Sequence, residues 1–249
     1  MVGSAYVLQR SVVRWPVMSP PRPMQRFYRA GLGSVTEQRA EFANWAGEEW
    51  PDGHLALCTF DIVTGRRVVL GAPSPSRPAL PDAMRAASAV PLLYPPVRLG
   101  RRLLVDGAVS SSTNVDVAVE AGAELIIIAA PQSYEPDDPP SLQLRASKEL
   151  FHRRLQCELR AAERAGVKVL VIRPDAEEAA VHGLNLLRGD GHGEVADLSH
   201  RRAAKVLASP EGRAFCRSWR DANRATARRA ARDGRPAGRP SRSLVRGDR

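Results

Sequence analysis

The segment that decides the fold runs from Pro81 to Pro131, PDAMRAASAVPLLYPPVRLGRRLLVDGAVSSSTNVDVAVEAGAELIIIAAP. Its pattern predicts a helix, a proline-rich turn, a strand, a loop, a second helix and a second strand. The first helix is expected over Asp82–Ala89, because a proline precedes it and Pro91 follows its end. The strand Arg101–Val105 leads directly into Asp106-Gly107. A carboxylate is therefore expected at the point where a buried strand ends.

This position of Asp106 has two interpretations. Open α/β sheets bind their ligands in a crevice at the carboxyl ends of the strands, so a carboxylate held there on rigid backbone is a candidate functional group. Short Asp-Gly pairs also mark ordinary turns, in which case Asp106 only caps the following loop. The spacing alone leaves both interpretations open.

The rest of the chain adds strands and helices around this segment. His54–Ile62 and Arg66–Leu70 form a hairpin by their spacing. The apolar runs Glu124–Ala130 and Val167–Ile172 predict strands that helices cover on both faces. Between them, apolar residues fall at helical spacing: Leu144, Phe151, Leu155, Leu159 and Ala162. Helix followed by strand, twice over, predicts an α/β fold with a mostly parallel sheet and helices on both faces.

Helix-capping residues and a stretch rich in glycine and proline in the last third of the sequence divide the chain into three regions. Residues 1–207 are expected to form one α/β domain, and residues 208–232 a C-terminal helix with Ser209 as cap and Pro210 in its first turn. Residues 233–249 form a basic tail rich in glycine and proline, for which we expect disorder.

Charge is distributed unevenly along the 249 residues. The formal net charge is +10, and 11 arginines against 3 aspartates between Arg217 and Arg249 supply most of it. Only three of the 37 basic residues are lysine, a bias typical of a GC-rich coding sequence that weakens any argument from arginine number. Beyond Trp219 this segment has no aromatic residue between its arginines, so base stacking is poorly supported. Its arginines also do not line one helical face once Gly234 and Pro236 intervene. Nucleic-acid binding is therefore the less favoured function of this segment.

The cysteines, the lengths of the apolar runs and the first residues restrict the class of protein. The three cysteines, Cys58, Cys157 and Cys216, are scattered, so neither a disulfide framework nor a zinc site is expected. No apolar run is long enough to cross a bilayer, and the first residues lack the basic leader of a secretory signal. These observations predict a cytoplasmic protein.

Histidine is a common metal ligand and general base, and the sequence has five of them. His192 lies in the loop Arg188–Gly193, where a lone histidine is usually solvated. The remaining four lack the spacing of metal ligands: His54, His152, His182 and His200.

Four short motifs occur in a characteristic order: Ala86-Ala87-Ser88-Ala89-Val90-Pro91, Tyr94-Pro95-Pro96-Val97, Val105-Asp106-Gly107-Ala108-Val109, and Asn114 ahead of a helix. Together they resemble the C-terminal half of the patatin-like phospholipase domain, with looser similarity from about Met1 to Ala203. In that family an Asp-Gly-Gly/Ala motif supplies the aspartate of a Ser–Asp catalytic dyad. The resemblance implies that Asp106, in the motif Asp106-Gly107-Ala108, is the base of an acyl ester hydrolase. It also implies a lipid or other acyl-ester substrate, no cofactor, and a cytoplasmic enzyme that works at a membrane surface.

Two parts of such a site are missing from the sequence. The chain contains no G-x-S-x-G motif, which would hold a serine on a sharp strand-to-helix turn, and no glycine-rich oxyanion loop. The other candidate serines lack that strand–turn–helix context: Ser34, Ser88, Ser110, Ser111 and Ser112. We therefore expect no nucleophile in this sequence.

The first residues offer an explanation. Met1-Val2-Gly3-Ser4-Ala5 resembles the start of the helix that directly follows the nucleophile elbow in this family. This resemblance implies that Met1 is an internal methionine and that the nucleophile lies just upstream of it.

Three functions thus remain open from the sequence. The first is a patatin-like hydrolase of lipid esters that is inactive as given because its nucleophile is absent. The second is a non-catalytic binding protein that keeps the fold. The third assigns the function to the arginine-rich tail, which would bind nucleic acid or an anionic membrane.

Overall fold

The computed structural model describes residues 36–51, 55–71, 77–91, 93–183 and 192–232. Within these ranges the chain forms seven α-helices, six strands and one 3₁₀ turn. The helices are α1 Thr36–Ala46, α2 Leu80–Ala87, α3 Val115–Glu120, α4 Leu142–Arg164, α5 Ala176–His182, α6 His192–Ala208 and α7 Pro210–Arg232. The strands are β1 Ala56–Asp61, β2 Arg66–Gly71, β3 Val97–Leu99, β4 Arg102–Asp106, β5 Leu125–Ala129 and β6 Lys168–Ile172. The 3₁₀ turn is Gly107–Val109.

Several sequence-based predictions fall outside these ranges. They concern Met1 to Ala5, Ser34, His54, the loop before α6 and the tail 233–249. His192 begins α6, but its side chain is not among those described.

The main sheet is antiparallel, so the prediction of a mostly parallel sheet is wrong for this part of the chain. Its four strands lie in the order β2-β1-β4-β3, and every neighbouring pair is antiparallel. The connections explain the result. Ile62–Gly65 joins β1 to β2 and Gly100-Arg101 joins β3 to β4, and both are far too short for the crossover that a parallel pair requires.

The predicted parallel pairing is confirmed in the second sheet. Strands β5 and β6 pair in parallel, with Ile127 opposite Leu170. The 23-residue helix α4 is the crossover between them. Its Leu155 and Ala162 pack on Ile128 of β5, while α6 and α7 contact β6. This pair of strands therefore has helices on both faces.

Alternating residues of β4 pack into two different clusters. Leu104 lies with Ala83 and Ala86 of α2 on one face of the main sheet. Val105 packs with Ile62 and Phe60 on the other side. Because successive side chains of a strand point to opposite faces, β4 is anchored from both sides. This packing fixes the position of the last residue of the strand, Asp106.

The C-terminal helix begins as the sequence predicts. The hydroxyl of Ser209 accepts a hydrogen bond from the backbone N–H of Gly212 (3.0 Å), which is the expected cap of α7. Phe215 of this helix is buried. Across the described ranges, no helix is both long enough and apolar enough to cross a lipid bilayer. The division of the chain at residues 207 and 232 stays a prediction.

Candidate functional site

Asp106 is the last residue of β4, at the carboxyl end of a strand, as the sequence predicts. It lies opposite Thr59 of β1 in the antiparallel ladder. Its backbone N–H donates to the carbonyl oxygen of Ala89 (3.0 Å), just after α2. The backbone of Asp106 is thus held by β1 on one side and by the end of α2 on the other.

Gly107 is required because the chain passes very close to β1. A Cβ atom at this position would lie 2.4 Å from the carbonyl oxygen of Cys58 and 2.7 Å from its carbonyl carbon. Both atoms belong to the backbone of a paired strand, which cannot move aside cheaply. Only glycine therefore fits behind Asp106, which gives the Asp-Gly pair a physical reason.

The carboxylate of Asp106 is half-buried and has one hydrogen bond to the backbone. Its Oδ1 accepts from the N–H of Ala108 (2.8 Å), as a cap of the 3₁₀ turn. Burial raises the pKa of Asp106, and the hydrogen bond from Ala108 lowers it by a smaller amount. A raised pKa makes this carboxylate a stronger base than a solvated aspartate.

Of the two interpretations of Asp106 from the sequence, the structure shows the turn cap, and the role as a functional group stays a prediction. The side chain does cap a turn, through Oδ1. Its other oxygen, Oδ2, has no hydrogen bond within the part of the chain that the structure describes. The backbone thus fixes the orientation of the carboxylate through one of its two oxygens.

The loop after Asp106 is fastened to helix α4 through Glu158. Ser111 is 5% exposed, and its hydroxyl donates to one oxygen of Glu158. The hydroxyl of Thr113 donates to the other oxygen. Ser111 Oγ also accepts from the backbone N–H of Asn114 (2.7 Å), the residue with a left-handed φ of 49°. Asparagine tolerates this conformation better than most residues.

Two arginines hold the ends of this loop. Arg154 of α4 donates to the carbonyl oxygen of Ser110 (2.6 Å), and burial lowers the pKa of its guanidinium. Arg67 of β2 pairs with Asp116 at the start of α3 (2.5 Å) and donates to the side-chain oxygen of Asn114 (3.2 Å). These contacts fix the loop between β2 of the main sheet and helix α4.

None of the candidate serines that the structure describes, Ser88 and Ser110–Ser112, is hydrogen-bonded to Asp106. Ser111 is committed to Glu158. Ser88 is the C-terminal cap of α2, and its backbone N–H donates to Met84. Among the described residues, no hydrogen bond joins a serine hydroxyl to the carboxylate of Asp106. The absence of a nucleophile among these serines stays a prediction.

A second polar cluster, which the sequence did not reveal, lies where β5 ends. The hydroxyl of Ser133 is 2.9 Å from Nδ1 of His152, and the ring of Tyr134 stacks on the imidazole at 4.2 Å. The hydroxyl of Tyr134 donates to Glu149 (2.6 Å). Ser133 and His152 are 19 residues apart, so no local pattern could connect them.

This Ser–His pair is closed to a substrate in the structure. Ser133 is only 2% exposed, so an ester carbonyl cannot approach its oxygen in this conformation. Burial is the main cause that lowers the pKa of His152, and the charge of Arg173 adds to it. Lys148, 3% exposed, donates to the carbonyl oxygen of Pro131 (2.7 Å) beside this pair. The cluster thus fastens the turn after β5 to α4.

The structure offers no arrangement of metal ligands among the residues that it describes. No group of three or more His, Cys, Asp or Glu side chains converges there. His200 is exposed on α6, and His152 is occupied by Ser133 and Tyr134.

The region around Asp106 matches the model of a known protein family. The model of the family described as patatin-like phospholipase matches residues 52–119. The matched residues span β1 to β4, the Asp106-Gly107-Ala108 turn and most of α3. This match, over the sheet that carries Asp106, is to the patatin-like phospholipase family.

Proposed function

We propose that this chain carries the aspartate base of a patatin-like acyl hydrolase that acts on lipid esters. The observation that carries the proposal is Asp106, which lies at the end of a strand inside the family match, with a raised pKa and one oxygen that has no hydrogen bond to the described residues. In a Ser–Asp dyad such a carboxylate takes the proton of the serine during acylation. It then activates water to hydrolyse the acyl-enzyme.

We further propose that the nucleophile is not among these 249 residues. The sequence contains no G-x-S-x-G motif. The serines nearest to Asp106 along the chain are tied to other groups or lie in a loop fastened to α4. Loss of a triad-type nucleophile costs about 10⁶ in rate, so the chain alone should hydrolyse esters no faster than background.

A fluorophosphonate probe tests this assignment, because it reacts with serines that a neighbouring base has activated. We expect the native chain to be labelled no more than the urea-unfolded chain. Labelling that is lost in Asp106→Asn would show that the nucleophile does lie in this chain and that Asp106 is its base. Labelling that survives this substitution would contradict the role of Asp106.

A non-catalytic binding protein with the same fold is the alternative, and the gene separates the two. An in-frame G-x-S-x-G codon series upstream of Met1 would support the hydrolase. A stop codon before any such series would support the binding protein.

A further inference from the structure

Helix α7 carries a line of arginines along its outer face. Residues three or four apart share one face of a helix, and the arginines here follow at intervals of four, three, four and four. We call this set the arginine stripe: Arg213, Arg217, Arg220, Arg224 and Arg228. All five side chains are exposed. Arginines beyond Gly234 could not share a helical face, but these five, which precede it, do.

The positive charge of this helix is largely uncompensated. Residues Pro210–Arg232 contain seven arginines but only two acidic residues, Glu211 and Asp221. None of the ion pairs found in the described ranges involves a member of the arginine stripe. Arg213 donates to the carbonyl oxygen of Ala208, which leaves its charge unneutralised.

Exposed apolar side chains border the arginine stripe. Ile127 of β5 is 46% exposed and Trp219 of α7 is 41% exposed. They line an open concavity of about 240 Å³ together with Phe215, Cys216 and Arg220. Arg220 belongs both to the arginine stripe and to this concavity. The basic surface and the apolar surface are therefore continuous.

We propose that this surface docks the protein on an anionic lipid bilayer. Arginines near such a membrane are attracted by its negative surface potential. Tryptophan and aliphatic side chains beside them insert at the level of the lipid headgroups. The arginine stripe supplies the first contact, and Trp219 with Ile127 supplies the second.

The apolar border favours a bilayer over a nucleic acid. Phosphate contacts alone would account for the arginine stripe. They give no role to Ile127, an aliphatic residue with no base-stacking or hydrogen-bonding group. A bilayer interface accommodates all of these side chains at once. Docking does not depend on the proposed hydrolysis, since binding can be measured without any ester turnover.

The test uses the 249-residue chain and vesicles of phosphatidylcholine with about 30% phosphatidylserine. Sedimentation with these vesicles, but not with pure phosphatidylcholine vesicles, is expected. Binding should weaken as salt increases. The triple variant R217Q/R220Q/R224Q should reduce the partition coefficient by roughly 100-fold, since three favourable charges are lost.

A matched variant controls for total charge. R98Q/R101Q/R102Q also removes three exposed arginines, but from the β3–β4 hairpin of the other sheet, and it should bind nearly as well as the wild type. Trp219→Ser should weaken vesicle binding, whereas Trp45→Ser should not. Trp45, 71% exposed on α1, is the matched exposed tryptophan.

Three results would overturn the proposal. The first is equal loss of binding in both triple variants, which would indicate diffuse attraction. The second is loss of binding only when Asp233–Arg249 is deleted, which would assign it to the tail. The third is duplex DNA binding that depends on the arginine stripe while Trp219→Ser leaves vesicle binding unchanged, which would make the partner a polyanion.

Discussion

At the scale of single residues, Gly107 and Asp106 act together, because the glycine allows the backbone position from which the carboxylate projects. Gly107 lets the backbone pass against Cys58 with no room for a side chain. This close approach sets the direction in which β4 ends and hence the position of the Asp106 carboxylate. The motif is therefore a packing requirement as well as a candidate catalytic group, and the two roles can be separated by mutation.

Gly107→Ala should lower the free energy of unfolding by about 1–3 kcal/mol, because the new methyl group would overlap the backbone of Cys58. Urea denaturation measures the change. Gly193→Ala in α6 is the control, since a Cβ atom there meets nothing within 4 Å. It should be neutral or stabilising by about 0.5–1 kcal/mol, as expected for alanine in a helix. Equal destabilisation by both substitutions would contradict the packing argument.

Asp106→Asn should raise the free energy of unfolding at neutral pH. Burial raises the pKa of Asp106 in the folded protein, so the native state binds its proton more tightly than the unfolded chain does. Stability from this group is therefore full at low pH and is lost as the pH rises through the folded pKa. Asparagine is neutral and keeps an oxygen that can accept from Ala108.

The free energy of unfolding of Asp106→Asn should exceed that of the wild type by about 1.4 kcal/mol for each unit by which the pKa of Asp106 is raised. Urea denaturation at neutral pH and near pH ~3.5, below the ordinary pKa of aspartate, measures it, and the gain should vanish in acid. A variant that is less stable than the wild type at neutral pH would show that the carboxylate is stabilised by contacts rather than strained by burial.

At the scale of elements, helix α4 serves two loops. Arg154 and Glu158 in its second half hold the loop that follows Asp106. Lys148, Glu149 and His152 in its first half hold the turn that follows β5. A shift of this helix would therefore move both loops together, which ties the surroundings of Asp106 to the second sheet.

His152→Gln should make the attachment of the turn after β5 to α4 less dependent on pH. In the wild type, burial and Arg173 lower the pKa of His152, so the folded protein favours neutral imidazole, and Arg145 acts in the same direction. The carboxylates of Glu149 and Glu135 oppose this effect. Stability from the neutral form is present above the ordinary histidine pKa of about 6.5 and is lost as the pH falls below it.

The variant should lose about 1 kcal/mol at neutral pH, where the bond between Ser133 and the imidazole is intact. The difference from the wild type should shrink at pH ~5. Urea denaturation at the two pH values gives the comparison, with His200→Gln on the exposed face of α6 as control. A difference that grows in acid would reverse the assigned direction of the pKa shift.

Elements with strong local signals were predictable from the sequence, and pairings set by tertiary contact were not. The apolar runs of β5 and β6 with a helix between them predicted a parallel pair, and they form one. Strand β3, Val97–Leu99, has only three residues and follows two prolines, so it gave no signal of its own. Without β3, the antiparallel hairpin with β4 could not be foreseen.

The candidate site shows the same division. The position of Asp106 is predictable from the sequence, because the strand pattern ends directly at an Asp-Gly pair. The contact of Gly107 with Cys58 depends on the pairing of β1 with β4, which are far apart in sequence. In the sequence, Glu158 and Arg154 look like part of the ordinary polar face of a long helix. Their role is not predictable, because the loop that they bind lies more than 40 residues earlier in the chain.

At the scale of the whole molecule, the two sheets carry different surface and site features. The antiparallel sheet carries Asp106 and the family match. The parallel pair carries α7 with its arginine stripe and exposed Trp219. We interpret the first as the part that supplies a catalytic base and the second as the part that meets the lipid surface.

The central claim is that the chain holds a catalytic base without its nucleophile, and the most direct test is turnover of a p-nitrophenyl ester by the purified 249-residue protein. We predict release of p-nitrophenol at the rate of buffer alone, for the wild type and for Asp106→Ala alike. Turnover by the wild type that disappears in Asp106→Ala would contradict the claim, and Ser111→Ala and Ser133→Ala would then identify the serine responsible.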